Sequence, residues 1–330
     1  MIDTLDISGL ALPGPDEMAH AAARERQGQL TKPPCALGRL EDLAVWFAGW
    51  RGEARPRIAT AQALVFAGDH GVCARGVNPC PQEVTGQMVA NFEHGGAAIN
   101  QLARVADARL TVVPLQVGTP TGDFTAGPAM TEAECLSALR AGWQAVDPEA
   151  DVLILGEMGI GNSTVAAALA CAVLGGEAAD WVGPGTGSDE AGVSLKARVV
   201  AEGVERHAGL APMQRLAALG GREQAAICGA VLAARTHRIP VILDGFICTA
   251  AALPLFGARA DALDHCIASH MSAEPGHARM LEAIGKAPLL DLGMRLGEGS
   301  GAAVALLILR AAVEAHSGMA TFAEAGVSGA

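Results

Sequence analysis

Short runs of apolar residues recur along the chain, and each ends at a glycine or a polar residue. Both faces of these segments are apolar, which is typical of strands buried on two sides in a parallel sheet. They predict strands at 63–67, 110–115, 152–155 and 241–243, with a weaker fifth at 266–268. Helical stretches lie between and after them, at 82–104, 132–146, 163–174, 189–208, 222–237 and 276–285. This alternation predicts βα units in an α/β fold with a right-handed, doubly wound parallel sheet.

Both terminal regions are predicted to be helical. Helices are expected at 16–30, 37–50 and 301–315. The first two are separated by the rigid turn Lys32-Pro33-Pro34. We therefore expect a small helical domain built from residues 1–60 and 302–330, beside an α/β core of residues 61–301.

Composition and charge narrow the class of protein. Hydrophobic residues make up 51% and charged residues 18% of the chain, which excludes a disordered protein. The 35 acidic and 23 basic residues give a formal net charge of -12. Such a charge argues against a non-specific nucleic-acid or anionic-membrane binder, because both depend on positive potential. The 41 glycines need an explanation, and an anionic ligand would have to be held locally.

The sequence also indicates location and redox state. The longest apolar stretches, 165–176 and 225–234, are shorter than the roughly 20 residues that span a bilayer. The first residues are acidic where a signal peptide would be basic, so a cytoplasmic protein without a membrane partner is expected. The eight cysteines form no CxxC pair, which supports neither a zinc site nor a disulfide framework.

Polar residues cluster where the predicted strands end. They are Asp69-His70, 157–164, Asp244 and 269–277. In open parallel sheets, ligands bind beyond the carboxyl ends of the strands. The sequence therefore predicts a site at this edge of the sheet.

The glycine turn at 156–164 opens a predicted helix. Gly156 and Gly161 have the spacing of a Walker loop, but Asn162 stands where the lysine should be, so an NTPase is not favoured. Free N–H groups at such a helix start can hold a single phosphate or carboxylate. A tight turn that needs positive φ explains the glycines equally well, and this segment alone leaves both interpretations open.

Two further glycine turns also open helices. The turn at 183–189 leads into a helix with Lys196, which could supply positive charge to an anion or be an ordinary surface lysine. The turn at 294–301 places Glu298 between two glycines. A carboxylate in a dry pocket is a competent general base, whereas a helix-capping glutamate is the simpler interpretation.

Several histidines could suggest a metal site. A metal-dependent hydrolase would use Asp69, His70, His270 and His277. The spacings of His265, His270 and His277 match no metal template such as HExxH, so hydrogen-bonded polar histidines are favoured and no metal is predicted.

Nine segments, taken together and in order, carry a family resemblance. They are KPPCALGRLE (32–41), FAGDHGV (66–72), PQEVTGQM (81–88), GEMGIGNST (156–164), VGPGTG (182–187), REQAAICGAVLAA (222–234), VILDGFICTAAAL (241–253), SHMSAEPGH (269–277) and LDLGMRLGEGSGAA (290–303). In these segments the sequence resembles the nicotinate-nucleotide:dimethylbenzimidazole phosphoribosyltransferases of cobalamin nucleotide-loop assembly.

The resemblance implies a fold, a reaction and a homodimer. The fold is a Rossmann-like sheet with a small helical domain from both termini. The reaction moves the phosphoribosyl group from nicotinate mononucleotide to 5,6-dimethylbenzimidazole, giving α-ribazole 5'-phosphate and nicotinate, without a cofactor. It would be a single inverting displacement with a glutamate general base. A non-catalytic nucleotide-binding regulatory module is the alternative.

Residue roles follow from the resemblance at matching positions. It implies that Glu298 is the base, that Glu157 is near the substrate, that Lys196 binds phosphate, that Gln87 faces the benzimidazole and that Ser272 is at the nucleotide site. The full set implied for substrate binding is Gln87, Glu157, Met158, Gly159, Gly161, Asn162, Ser163, Thr164, Gly185, Lys196, Ser272, Leu296 and Gly297.

Two segments depart from the family pattern. Cys35-Ala36 stands where the family usually has Gly-Ser, which we expect to affect the rigidity of that loop. Asn78-Pro79-Cys80 borders the expected base pocket and leaves the preferred base open, because a pocket discriminates a methyl group by only about 1 to 3 kcal/mol.

Overall fold

The computed structural model describes residues 2–185 and 187–328, and a single parallel sheet forms its frame. The strands are β1 (Ala61–Ala67), β2 (Ala108–Pro114), β3 (Val152–Met158), β4 (Val241–Leu243), β5 (Cys266–His270) and β6 (Pro288–Leu290). They lie in the order β2-β1-β3-β4-β5-β6, and every neighbouring pair is parallel. The predicted parallel α/β fold is confirmed, with β6 as a strand that the pattern did not predict.

Helices connect and cover the strands. They are α1 (Glu17–Gln27), α2 (Arg39–Arg51), α3 (Val84–Glu93), α4 (Ala98–Val105), α5 (Glu132–Ala145), α6 (Asn162–Leu174), α7 (Glu190–Arg206), α8 (Pro212–Leu219), α9 (Arg222–Thr236), α10 (Phe246–Ala258), α11 (Gly276–Ala283), α12 (Ser300–Gly318) and α13 (Phe322–Ala325). The single helix predicted at 82–104 was wrong. It is two helices, because Gly95 has a φ of +76° and Gly96 follows it.

The strand register aligns the carboxyl ends of the central strands. Ala67, the last residue of β1, pairs with Met158 of β3 and with Pro114 of β2. Leu243, which ends β4, pairs with Leu155 of β3 and with Ala268 of β5. The segments that follow β1, β3, β4 and β5 therefore lie at one edge of the sheet, as the sequence predicted.

The two faces of the sheet are buried under separate helical layers. Helices α5, α6, α8, α9 and α10 contribute to one apolar core, and α2, α4 and α12 contribute to the other. In the first layer α5 and α9 touch backbone to backbone. A Cβ on Gly142 would overlap the carbonyl of Ala226, and a Cβ on Gly229 would overlap the carbonyl of Leu139. Glycine is needed at both positions because any side chain would force the two helices apart.

The two terminal regions meet beside the second layer. Leu30 and Thr321 form an isolated antiparallel bridge, and Arg26 Nε donates to the His316 carbonyl at 3.1 Å. Helix α12 packs against α2 and also against β3, β4 and β5. The division into a helical domain of residues 1–60 and 302–330 and a core of residues 61–301 stays a prediction.

Within the described residues, α12 is the one helix long and apolar enough to span a membrane by length and composition. Half of its apolar window is buried inside the fold. Ala303, Leu306, Leu309 and Val313 of this helix belong to the apolar core on the second face of the sheet. Its apolar character is therefore accounted for by packing within the protein.

Candidate active site

A cleft opens at the carboxyl edge of the sheet, between the segments that follow β3, β4 and β5 and the turn that precedes α12. The space between its walls is about 780 Å³ when the open mouth is included. Its lining residues are Asn78, Glu157, Met158, Gly159, Ile160, Gly161, Asn162, Ser163, Gly185, Lys196, Asp244, Gly245, Phe246, Ile247, Cys248, His270, Ser272, Glu274, Arg295, Leu296 and Gly297.

Most of the residues expected at the site line this cleft. They are Glu157, Met158, Gly159, Gly161, Asn162, Ser163, Gly185, Lys196, Ser272, Leu296 and Gly297. Three others do not line it: Gln87 is exposed on α3, Thr164 is buried in α6, and Glu298 is buried next to the lining residue Gly297.

Glu157 is a buried carboxyl group at the end of β3. Its side chain accepts a hydrogen bond from the Asn162 amide. Burial raises the pKa of Glu157 to about 8, and the nearby charges of Asp244, Glu223 and Glu298 act in the same direction. Glu157 therefore holds its proton at neutral pH.

Glu298 lies in a turn of three consecutive residues in left-handed backbone conformation. The φ angles of Gly297, Glu298 and Gly299 are +86°, +63° and +83°. A glutamate in this region costs about 1 to 3 kcal/mol, and such strain is concentrated at functional sites. A Cβ on Gly297 would collide with Oε1 of Glu157, so the turn lies directly against that carboxyl group.

The carboxyl group of Glu298 is poorly solvated. The residue is 6% exposed, and its Oε2 has no hydrogen-bond partner within the described residues. Burial raises its pKa, and a hydrogen bond from the Ile99 backbone opposes this effect. Oε2 is consequently a free acceptor with increased proton affinity.

Lys196 supplies a buried positive charge to the cleft. It is 3% exposed, and its Nζ donates to the carbonyls of Gly183 at 3.3 Å and Pro184 at 3.4 Å and to Ser163 Oγ at 3.4 Å. Burial lowers the pKa of Lys196, and the charge of Glu274 opposes the shift. The alternative interpretation, that Lys196 is an ordinary surface lysine, was therefore wrong, because the residue is buried.

Besides Asp244, two charged residues that line the cleft, Glu274 and Arg295, were not among the residues implied for substrate binding or catalysis. Glu274 accepts from the Gly185 amide at 3.0 Å, and Arg295 donates to the Gly185 carbonyl at 2.7 Å. Burial raises the pKa of Glu274, while Lys196, the Gly185 amide and Arg295 lower it. Both residues lie in segments that carry the family resemblance, Glu274 in SHMSAEPGH and Arg295 in LDLGMRLGEGSGAA.

Two histidines at this edge, His270 and His277, have hydrogen-bond partners. His277 accepts from the Ser272 amide at 2.9 Å and lies 3.1 Å from Thr249 Oγ1. Burial lowers the pKa of His277 to about 3, so the ring is neutral. His70 lies 3.0 Å from Glu223 in a fully buried pair. Among residues 2–185 and 187–328, no three or more His, Cys, Asp or Glu side chains are arranged to hold a metal ion.

Segment 78–80, one of the two that depart from the family pattern, reaches the cleft. Asn78 is among the lining residues, and its side chain donates to the carbonyl of Cys80. The other departing segment carries backbone strain, because Cys35 has a φ of +58°. Glycine adopts this conformation without penalty, so the cysteine is the more strained residue at this position.

Comparisons with known proteins agree with this geometry. A family model described as phosphoribosyltransferase (DBI_PRT) matches residues 12–327. The chain is 64% identical over 323 residues to the nicotinate-nucleotide–dimethylbenzimidazole phosphoribosyltransferase of Ruegeria pomeroyi, covering 98% of this chain and 96% of that protein. It is 64% identical over 321 residues to the protein of the same name from Jannaschia sp., covering 97% of this chain and 95% of that protein.

A solved structure shows the same fold. CobT from Thermus thermophilus matches with a TM-score of 0.90 and 44% sequence identity, covering 95% of this chain and 100% of that chain. Sequence and structure thus agree over nearly the whole length. The chain is a phosphoribosyltransferase and belongs to the nicotinate-nucleotide–dimethylbenzimidazole phosphoribosyltransferase family.

Proposed function

We propose that the protein transfers the phosphoribosyl group of nicotinate mononucleotide to 5,6-dimethylbenzimidazole, which releases nicotinate and forms α-ribazole 5'-phosphate. The observation that carries the proposal is that one cleft is lined by a buried lysine at a glycine turn and by the buried carboxyl group of Glu157, with the buried Glu298 next to the lining residue Gly297. The lysine suits a phosphate, and the carboxyl groups suit a proton transfer. The names of the relatives support the choice of donor and acceptor.

The chemistry needs little help at the leaving group. The ring nitrogen of the donor is a pyridinium, so breaking the bond to C1' returns the electron pair to a nitrogen that becomes neutral. One benzimidazole nitrogen attacks C1' from the opposite face and inverts a β linkage to an α linkage. The proton on the other benzimidazole nitrogen must then leave, and Glu298 Oε2 is the acceptor that we assign to it.

Glu157 and Glu298 divide the acid and base roles between them. The pKa of about 8 keeps the proton on Glu157. We assign the ionised form to Glu298, whose pKa is also raised by burial. Two neighbouring carboxyl groups do not both ionise readily, and their environments separate their roles. The retained proton of Glu157 therefore favours the charged form of the base.

No pyrophosphate leaves in this reaction, so the usual reason for Mg²⁺ in phosphoribosyl transfer is absent. We therefore propose a reaction without metal or cofactor. We also propose, from the family resemblance, that the enzyme is a homodimer.

The proposal is tested by incubating the purified protein with nicotinate mononucleotide and dimethylbenzimidazole. Chromatography and mass spectrometry should show nicotinate and ribazole phosphate in equal amounts, and NMR should show the α anomer. A β product would contradict a single displacement. Binding of the nucleotide without release of nicotinate would instead favour the non-catalytic regulatory module.

Replacing Lys196 with alanine is expected to raise the KM for nicotinate mononucleotide by about 10- to 100-fold. A charge-assisted hydrogen bond is worth about 1.5 to 3 kcal/mol, and every 1.4 kcal/mol is a factor of ten. The KM for dimethylbenzimidazole should change little, because this acceptor has no phosphate. Arg198→Ala, which removes an exposed cation from the same helix, is the matched control. Equal weakening of both substrates would contradict the phosphate role.

A further inference from the structure

Asp244 is a buried carboxylate that the proposed reaction does not use directly. It follows β4 immediately and is 1% exposed. Its Oδ2 accepts from the Gly299 amide at 3.1 Å, and its Oδ1 accepts from the Ala302 amide at 3.0 Å. Both oxygens therefore bind backbone groups at the start of α12.

These contacts replace a local helix cap. The N-cap residue of α12 is Gly299, which has no side chain with which to accept the free N–H groups of the first turn. Asp244 accepts from them although it lies 55 residues earlier in the chain than Gly299. A single side chain thus joins the end of β4 to the residue next to Glu298.

The geometry makes the orientation of Glu298 depend on this contact. Its left-handed backbone conformation is unfavourable and persists only where neighbouring structure holds it. The backbone amide that directly follows Glu298 is that of Gly299, and it donates a hydrogen bond to Asp244. Loss of that hydrogen bond would let the turn relax and move the base relative to the acceptor nitrogen.

The titratable groups around Asp244 come from several packed elements. The distance from His270 Nδ1, in β5, to Asp244 Oδ1 is 3.7 Å. The other titratable neighbours are Glu157 of β3 and Cys248 of α10. Glu157 in turn faces Glu223 of α9 and Glu298. The charge of Asp244 thus acts on Glu157, one of the two acids in the proposed reaction.

We propose that Asp244 is a positioning residue, which holds the turn of Glu298 in its productive orientation by binding the amides of Gly299 and Ala302. It touches neither substrate in this proposal and acts through Glu298. The inference rests on the proposed function for its catalytic consequence. The structural part, the restraint of the turn, does not depend on the identity of the substrates.

The test is Asp244→Asn, which keeps the size of the side chain but leaves one acceptor oxygen. Misplacement of a catalytic group by about 1 Å costs about 10²-fold in rate, so kcat should fall by about 10²-fold. The KM for nicotinate mononucleotide should stay within about 2-fold, because Lys196, the proposed phosphate ligand, is unchanged. The acid limb of the pH–rate profile should move to lower pH, because a looser turn exposes Glu298 to water and lowers its raised pKa.

Asp151→Asn is the matched control. Asp151 also uses its carboxylate to bind backbone amides, those of Ala59 at 2.7 Å and Thr60 at 2.8 Å, but at the start of β3 and away from the cleft. This variant should lower the melting temperature without changing the pH–rate profile of the folded enzyme. If Asp244→Asn behaves like Asp151→Asn in kcat and pH profile, Asp244 has a structural role only and the proposal is overturned.

Hydrogen exchange gives a readout without turnover. The amides of Gly299 and Ala302 should exchange faster in Asp244→Asn than in the wild-type chain and in Asp151→Asn. Burial raises the pKa of Asp244 to about 7. In the wild-type chain the protection of these two amides should therefore also fall as the pH is lowered through about 7, because a protonated Asp244 accepts hydrogen bonds more weakly. Unchanged exchange of these amides in the folded variant would overturn the proposal. If the variant fails to fold, protection in the wild-type chain that does not change with pH would overturn it. Absence of nicotinate release by the wild-type enzyme would instead refute the proposed function.

Discussion

Replacing Glu298 with glutamine is expected to reduce kcat by about 10²- to 10⁴-fold, the usual contribution of a positioned general base. The amide has nearly the same size but cannot take the proton of the benzimidazole. Binding of nicotinate mononucleotide should be retained, because the proposed phosphate ligand, Lys196, is unchanged. Steady-state kinetics together with calorimetric binding of the nucleotide would measure both effects.

The control for this change is Glu314→Gln, on the exposed side of α12. Like Glu298→Gln, it removes one negative charge, but Glu314 does not line the cleft, so kcat should be unchanged. In the wild-type enzyme the rate should rise with pH as Glu298 ionises, and burial places this rise above the pKa of a free glutamate. Near-normal turnover of Glu298→Gln would exclude Glu298 as the base.

Replacing Gly297 with alanine is expected to reduce kcat by about 10²-fold or more, since the new methyl group would collide with Oε1 of Glu157. Relief of the collision requires movement of either Glu157 or the turn that carries Glu298. The φ of +86° adds strain for any residue other than glycine, so the melting temperature should also fall. Steady-state turnover and thermal unfolding measure the two effects separately.

Gly293→Ala separates backbone strain from collision. Gly293 also has positive φ, at +66°, but nothing lies within 4 Å of an added Cβ. This variant should lose some stability and keep its kcat. An equal loss of kcat in the two variants would show that strain, and not contact with Glu157, controls the rate.

Much of the fold could be predicted because strands β1, β3, β4 and β5 are buried on both faces and form continuous apolar runs. Helices α8, α10 and α13 and strand β6 were not predicted, and two of these elements lack a clear sequence signal. Helix α10 is apolar all round and contains Pro254, so it shows no amphipathic period and carries a residue that normally interrupts helices. Strand β6 has three half-buried residues, too few to produce a pattern.

The candidate site was predictable only in part, because position after a strand is visible in the sequence and burial is not. Asp244 was recognised as a polar residue at a strand end, but its contacts with Gly299 and Ala302 join segments that no local pattern connects. The spacing around Lys196 favoured a surface position, whereas packing of α7 against α6 buries it. The glycines beside Glu298 were evident, but the left-handed conformation of the glutamate itself was not.

The route of the chain through the sheet has a kinetic consequence. Arg26 Nε meets the His316 carbonyl 290 residues later, and Asp244 meets Gly299 across 55 residues. Closing such long loops costs conformational entropy before the distant contacts can stabilise the folded state. Parallel sheets with crossover helices therefore fold slowly. If Asp244 has the proposed positioning role, the turn of Glu298 is fixed only when α12 has docked beside β4. During refolding, helical structure should therefore return before catalytic turnover does.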